Sequence, residues 1–218
     1  MFNLHCHSIL SDGDLIASEI AVRYAAAGYT TIAITDHADY SNIKNVVSSI
    51  LDFTRHWPKN STIKVLAGVE LTHVPLDQFK PLVKYARSKG IQIIVGHGES
   101  PVEPVIKGTN RAALESGIDI LAHPGLISDE DVVLAGQRKI FLEVSSRRGH
   151  GNTNNHVANR ACALGARLVI NTDGHSPEDI ITPAQLRQVG ITAGLTEIDL
   201  EKIYADVAAF LKVKEGRR

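Results

Sequence analysis

The feature that most constrains the fold of this chain is an alternation. Short β-branched or apolar runs at 2–4, 31–35, 65–71, 91–95, 118–122, 140–144 and 168–171 are separated by longer amphipathic stretches. Runs of that length read as strands buried on both faces. The intervening stretches, around 15–27, 42–56, 77–89, 107–115, 129–137, 155–164 and 183–188, read as helices, and 200–213 as a last one. Gly28, Gly90, Gly117 and Gly165 stand just before the next strand, where a residue tolerating positive φ ends a helix. Repeated βα units imply a parallel sheet, closed into a barrel or left open and doubly wound, and we prefer the barrel. A chain of 218 residues is long enough for one such α/β domain, 1–218, and the charged tail 212–218 is expected to fray.

The polar residues are placed as regularly as the apolar ones. Each strand ends in a histidine or a carboxylate: His5 and His7, Asp36 and His37, Glu70, His97, His123, Glu143, then Asp173 and His175. In a parallel barrel all strand C-termini meet on one rim, so residues scattered along the chain become one constellation. His5 and His7 flank Cys6, and a strand period of two sends both imidazoles to one face and the cysteine to the other, into the core. Asp173 and His175 repeat the spacing around Gly174, and Asp12 lies in the turn Ser11-Asp12-Gly13. Taken singly, His123 could be a loop residue and Asp36 a helix cap. Taken together they defeat that reading, because nothing structural requires such a group after every strand and unpaired buried polar groups are costly. Neutral imidazoles mixed with carboxylates suit Zn²⁺, Mn²⁺ or Fe²⁺.

Composition narrows the partners. Lys plus Arg total 23 against 24 for Asp plus Glu, so no global field favours polyanions or membranes, and nucleic acid is possible but unsupported. Cys6 and Cys162 make neither a disulfide framework nor a thiolate zinc site, which favours a reducing, cytoplasmic compartment. No secretory leader or bilayer-spanning run is legible.

These residues, in this order, resemble the PHP family, the polymerase and histidinol phosphatase superfamily. The motifs are His5-Cys6-His7-Ser8, Ser11-Asp12-Gly13, Ile34-Thr35-Asp36-His37, Gly68-Val69-Glu70, Gly96-His97, Ala122-His123-Pro124 and Thr172-Asp173-Gly174-His175. The resemblance implies a distorted seven-stranded (β/α)7 barrel and a nine-residue ligand set at His5, His7, Asp12, His37, Glu70, His97, His123, Asp173 and His175. It further implies two or three divalent metals. His5, His7, Glu70 and Asp173 would hold one, Glu70 would bridge to a second with His97 and His123, and Asp12, His37 and His175 would hold a third. Asp36 and Glu143 are left to orient ligand imidazoles, and His56 and His73 match no motif.

Such a centre predicts hydrolysis of a small phosphomonoester, with a metal-bound hydroxide as nucleophile. The proton donor to the leaving group is a rim histidine such as His150, or a water. After the sixth strand, Ser145-Ser146-Arg147-Arg148-Gly149-His150-Gly151 offers Arg147 and Arg148 to a substrate phosphate. The partner expected is a small phosphorylated metabolite, and the sequence leaves the oligomeric state open. The alternatives are a nuclease or nucleotide phosphoesterase and a non-catalytic metal-binding domain. An amidohydrolase, which would show an eighth strand and a bridging lysine, is disfavoured.

Overall fold

In the computed structural model, which describes residues 1–215, the apolar runs form parallel strands around a nearly closed barrel. The strands are β1 (Phe2–Asn3), β2 (Thr31–Ile34), β3 (His37–Ala38), β4 (Lys64–Leu71), β5 (Ile93–His97), β6 (Ile120–Ala122), β7 (Phe141–Ser145) and β8 (Arg167–Asn171). Between and after them run α1 (Ala17–Ala26), α2 (Ile43–His56), α3 (Phe79–Lys89), α4 (Thr109–Ser116), α5 (Asp129–Arg138), α6 (Asn154–Leu164), α7 (Pro183–Thr192) and α8 (Glu197–Glu215). The pairing order is β1-β2-β4-β5-β6-β7-β8, with β3 also on β4.

The extra strand is a break in an expected one. Ile34 faces Ala67 and His37 faces Glu70, so β2 and β3 keep one register along β4 and behave as a single interrupted strand. At the interruption Thr35 turns toward β1: its amide donates to the Cys6 carbonyl at 2.8 Å and its hydroxyl accepts from the Cys6 amide at 3.2 Å. Gly68 makes room, since a Cβ there would stand 2.5 Å from Thr35 Cγ2 and 2.9 Å from the Ile34 carbonyl oxygen. The seven strands expected are therefore present, one of them bent, and the barrel is distorted at that point.

The barrel closes between β1 and β8 through side chains. Asn171 Oδ1 accepts from the Leu4 amide and Asn3 Oδ1 from the Thr172 amide, each at 2.8 Å. Beyond this seam the backbones meet directly, with Asp173 donating to the His5 carbonyl and His7 to that of Gly174.

Two apolar layers hold the elements. Leu4, Ala33, Leu66, Ile93, Val95, Ile120, Phe141 and Val169 fill the barrel interior together with Val207 and Leu211 of α8, which therefore seals one end. A larger layer, including Ile20, Tyr24, Ile50, Leu82, Leu114, Leu142 and Leu186, packs strands against helices. Cys6 belongs to that layer, buried as expected, and donates to the Ala33 carbonyl. Of the tail from Lys212 that is expected to fray, the described part is helical. Residues 212–215 continue α8, because Leu211 is anchored in the core and Lys214 reaches Asp119 Oδ1 at 2.6 Å. Residues 216–218 lie outside the described residues. Among the described residues no helix is long and apolar enough to cross a membrane.

Candidate metal centre

Parallel strands deliver their C-terminal residues to one rim, and there the expected side chains converge. The segment after β1 carries His5, His7 and Asp12, β3 carries His37, β4 carries Glu70 and β5 carries His97. His123 follows β6, and Asp173 and His175 follow β8. Their ligand-type atoms group as His7 with Asp12, His37 and His175, as His5 with His7 and Glu70, as His5 with His123 and Asp173, and as Glu70 with His97 and His123. All nine residues named in the sequence are thus brought together.

The separations inside the cluster are informative. Two donors about 2.0–2.1 Å from one metal lie about 2.9 Å apart at a right angle and about 3.4 Å apart at the tetrahedral angle. His5 Nε2 stands 3.5 Å from both Glu70 Oε1 and Asp173 Oδ1, His7 Nε2 is 3.2 Å from Asp173 Oδ1, and His123 Nε2 is 3.6 Å from Asp173 Oδ2. Asp12 Oδ1 is 3.4 Å from His37 Nε2 and 3.3 Å from His175 Nε2. Most of these are long for hydrogen bonds and suited to atoms that share a cation. Among the described residues, His5 Nε2, His7 Nε2, Glu70 Oε1 and Asp173 Oδ2 are buried and have no hydrogen-bond partner. Buried polar atoms are rarely left so, and a donor set of imidazoles and carboxylates fits a divalent cation.

Electrostatics agree. Burial pushes the Asp173 carboxyl up to about 6, against the opposing pull of His5 and with Glu70 adding to the rise. Burial, together with the charges of neighbouring imidazoles, holds His7 and His123 well below the usual histidine range. Asp173 and His123 also sit at positive φ, 50° and 27°, a conformation costly for residues other than glycine and common where function over-determines the backbone.

Around this cluster stand groups with other tasks. Glu143 accepts from His5 Nδ1 at 2.8 Å and from Asn171 Nδ2 at 2.8 Å, which turns His5 Nε2 toward the cluster and ties it to the barrel seam. The expectation that Asp36 orients an imidazole is corrected. Its carboxylate accepts from the Ser8 amide at 2.7 Å and from the Ser8 and Ser11 hydroxyls at 2.8 Å, so it fixes the turn that carries Asp12. Arg147 reaches in, with Nη1 2.7 Å from His175 Nε2 and 3.5 Å from Asp173 Oδ1, whereas the Arg148 side chain is exposed. His150 is buried, its ring centroid 4.3 Å from that of His123. His56 is remote and exposed, bonded to the Asp52 carbonyl of its own helix. A cavity of about 1010 Å³ opens at the opposite end of the barrel, beside Trp57, Lys64, Arg87 and Lys214, and holds none of these side chains.

Comparison with known proteins settles the family. Residues 3–115 match the PHP domain. The chain belongs to the PHP family. This PHP chain is 42% identical over 205 residues to an uncharacterised protein of Methanocaldococcus jannaschii, covering 92% of this chain and 93% of that one. It is 26% identical over 234 residues to the DNA polymerase/3'-5' exonuclease PolX of Bacillus subtilis, where it spans 96% of its own length and 40% of the relative's. Among solved structures it resembles histidinol phosphate phosphatase from Lactococcus lactis complexed with zinc, L-histidinol and phosphate. That likeness has a TM-score of 0.63 at 15% identity, over 89% of this chain and 94% of the other. The Arabidopsis N6-mAMP deaminase shares the barrel at a TM-score of 0.55 and 16% identity, over 86% and 57% of the two chains.

One residue of the PHP rim escaped the sequence reading. Glu103, on the loop after β5, places Oε2 2.9 Å from His97 Nε2 and Oε1 3.3 Å from His150 Nε2. The hydrogen bond to His97 holds its carboxyl down at about 2. His73, which matches no motif, lies half exposed in the loop after β4 with Nε2 3.3 Å from the same carboxylate. Glu103 ends no strand and lies six residues past His97, so strand-end logic had no means of finding it.

Proposed function

We propose that this PHP protein is a metal-dependent phosphoesterase that hydrolyses a small phosphomonoester at a di- or trinuclear centre. The observation that carries the reading is the set of buried, unpartnered atoms His5 Nε2, His7 Nε2, Glu70 Oε1 and Asp173 Oδ2 at the meeting point of the strand ends. His5, His7, Glu70 and Asp173 would hold one Zn²⁺, Mn²⁺ or Fe²⁺ ion. Glu70 would bridge to a second with His97 and His123, and Asp12, His37 and His175 would hold a third. Bound there, such ions supply charge for the phosphoryl oxygens and a nucleophile drawn from water at neutral pH.

The chain's own residues do the rest. Glu143 keeps His5 in one orientation. Arg147, within reach of Asp173 and His175, is placed to grip an equatorial phosphate oxygen through its guanidinium. His150, buried 3.3 Å from Glu103, is the candidate to deliver a proton to the leaving alkoxide. The solved structure of similar fold, bound to zinc, L-histidinol and phosphate, supports a phosphomonoester as substrate class.

The test is phosphate release from a panel of phosphomonoesters, including histidinol phosphate and nucleotides, with a phosphodiester control. Enzyme reconstituted with Mn²⁺ or Zn²⁺ is run beside chelated enzyme. We expect metal-dependent release from small monoesters. Cleavage of the diester alone would move the assignment to an exonuclease, the activity in the name of the Bacillus subtilis relative.

A further inference from the structure

The metal position shared by Glu70, His97 and His123 has three protein donors, one fewer than a four-coordinate ion takes. A candidate fourth, the Glu103 carboxylate, stands next to one of the three, His97. Glu103 Oε2 lies 2.9 Å from His97 Nε2, the separation of two neighbouring ligands at about a right angle on one ion. It is also 3.3 Å from His73 Nε2, so His73, His97 and Glu103 bring their donor atoms within one metal's reach. The same side of the centre holds further buried nitrogens without a partner, His123 Nδ1 and His150 Nδ1.

The loop that carries Glu103 is held at both ends. At its base the Glu99 carboxylate accepts from the Gly108 and Asn110 amides, each at 3.0 Å, which closes the loop onto the first turn of α4. Nearer its tip Val102 packs on Gly149, where a Cβ would stand 3.2 Å from Val102 Cγ1, so the loop leans on the segment that carries Arg147 and His150. His73 is held at a φ of 52°, a strained conformation for a residue with a side chain, and its ring centroid lies 4.9 Å from that of His97.

We infer that Glu103 is a loop-borne fourth protein ligand of the Glu70–His97–His123 metal, steadied by His73 and His150, and rests on that ion as a ligand a substrate oxygen must displace. The inference rests on the metal-centre reading above. It implies that this ion is bound more tightly than three donors alone would hold it, and that freeing Glu103 opens a coordination position beside His150.

The test is a competitive titration of Zn²⁺ against a chromophoric chelator, counting ions and their affinities in the wild-type protein and in Glu103→Gln and Glu103→Ala. Visible spectra of the Co²⁺-loaded proteins are recorded beside it. We expect both variants to keep the remaining ions, to bind one ion at least about tenfold more weakly, and to show a changed Co²⁺ spectrum. The same count, affinities and spectrum in all three proteins would overturn the inference and leave the metal centre standing. Loss of every ion together would also overturn it, by placing Glu103 in the scaffold of the whole centre. A wild-type protein that takes up no metal would overturn both readings.

Discussion

The two arginines that the sequence offered as equals sit in different surroundings, and that difference is measurable. Arg147 points its guanidinium at His175 and Asp173, within a partly buried site, while Arg148 is exposed one residue further along. A charge-assisted hydrogen bond to phosphate contributes about 1.5–3 kcal/mol, whereas an exposed charge contributes at most about 1 kcal/mol. Arg147→Ala should therefore raise KM for the monoester by about 10- to 100-fold, and Arg148→Ala by less than about fivefold, in steady-state assays of the metal-loaded enzyme. A larger effect at Arg148 would assign phosphate contact to it instead. The strand-end residues were legible in sequence because a barrel converts strand ends into neighbours. The arginine pair was not separable, since which of two adjacent loop side chains turns inward depends on the turn that Gly149 makes at a φ of 87°. Asp36 was misread for a related reason: the nine-residue ligand set left it over to orient an imidazole, while the serines it serves lie 28 and 25 residues away in sequence.

At the scale of elements, alternation exposed every strand, and the interruption of one was hidden. Residues 31–34 read as β-branched or apolar throughout, and only the approach of Cys6 explains why Thr35 leaves the ladder, while the Asp36 carbonyl still accepts from the Glu70 amide of β4 at 3.0 Å. Gly68 makes that departure possible. Gly68→Ala forces its new methyl against Thr35 Cγ2 and the Ile34 carbonyl, and against the Ile93 carbonyl at 3.2 Å. Two of those three neighbours are backbone and cannot rotate away. Overpacking of this kind costs about 2–3 kcal/mol, which urea denaturation would read as a lowered midpoint. Gly90→Ala is the control. It has nothing within 4 Å of the new Cβ and bears only the strain of a φ of 100°, so about 1 kcal/mol is expected. Equal losses at the two sites would show that space at the strand break does not matter. The helices were easier to read, because Thr182 and Gln185 form a local capping box and Gly165 ends α6 in the left-handed conformation. Local signals survive without knowledge of the fold, and bends imposed by a neighbouring strand do not.

For the molecule as a whole, the candidate centre is placed where bound ions would act as a clasp. Its nine side chains come from β3, β4, β5 and the segments that follow β1, β6 and β8, and β7 adds Glu143 to orient His5. The barrel seam, by contrast, rests at its lower end on two asparagine side chains. Ions held at the rim would therefore join β1 to β8 where the backbone pairing reduces to the isolated Cys6–Gly174 bridge. A ligand that binds only the folded chain stabilises it by about 2.7 kcal/mol at a hundred times its Kd. For a chain of this size that corresponds to about 5–10 °C in Tm per site. Chelated protein should consequently melt at least that much below the Zn²⁺- or Mn²⁺-loaded protein, with the difference restored on re-addition of metal and absent for Mg²⁺ at matched concentration, since imidazole-rich sites disfavour it. Calorimetry of stripped and reloaded samples, with metal content measured on each, decides the matter. Identical melting of fully stripped and fully loaded protein would mean that the rim is preformed by packing alone, and that the metals serve chemistry without holding the barrel shut.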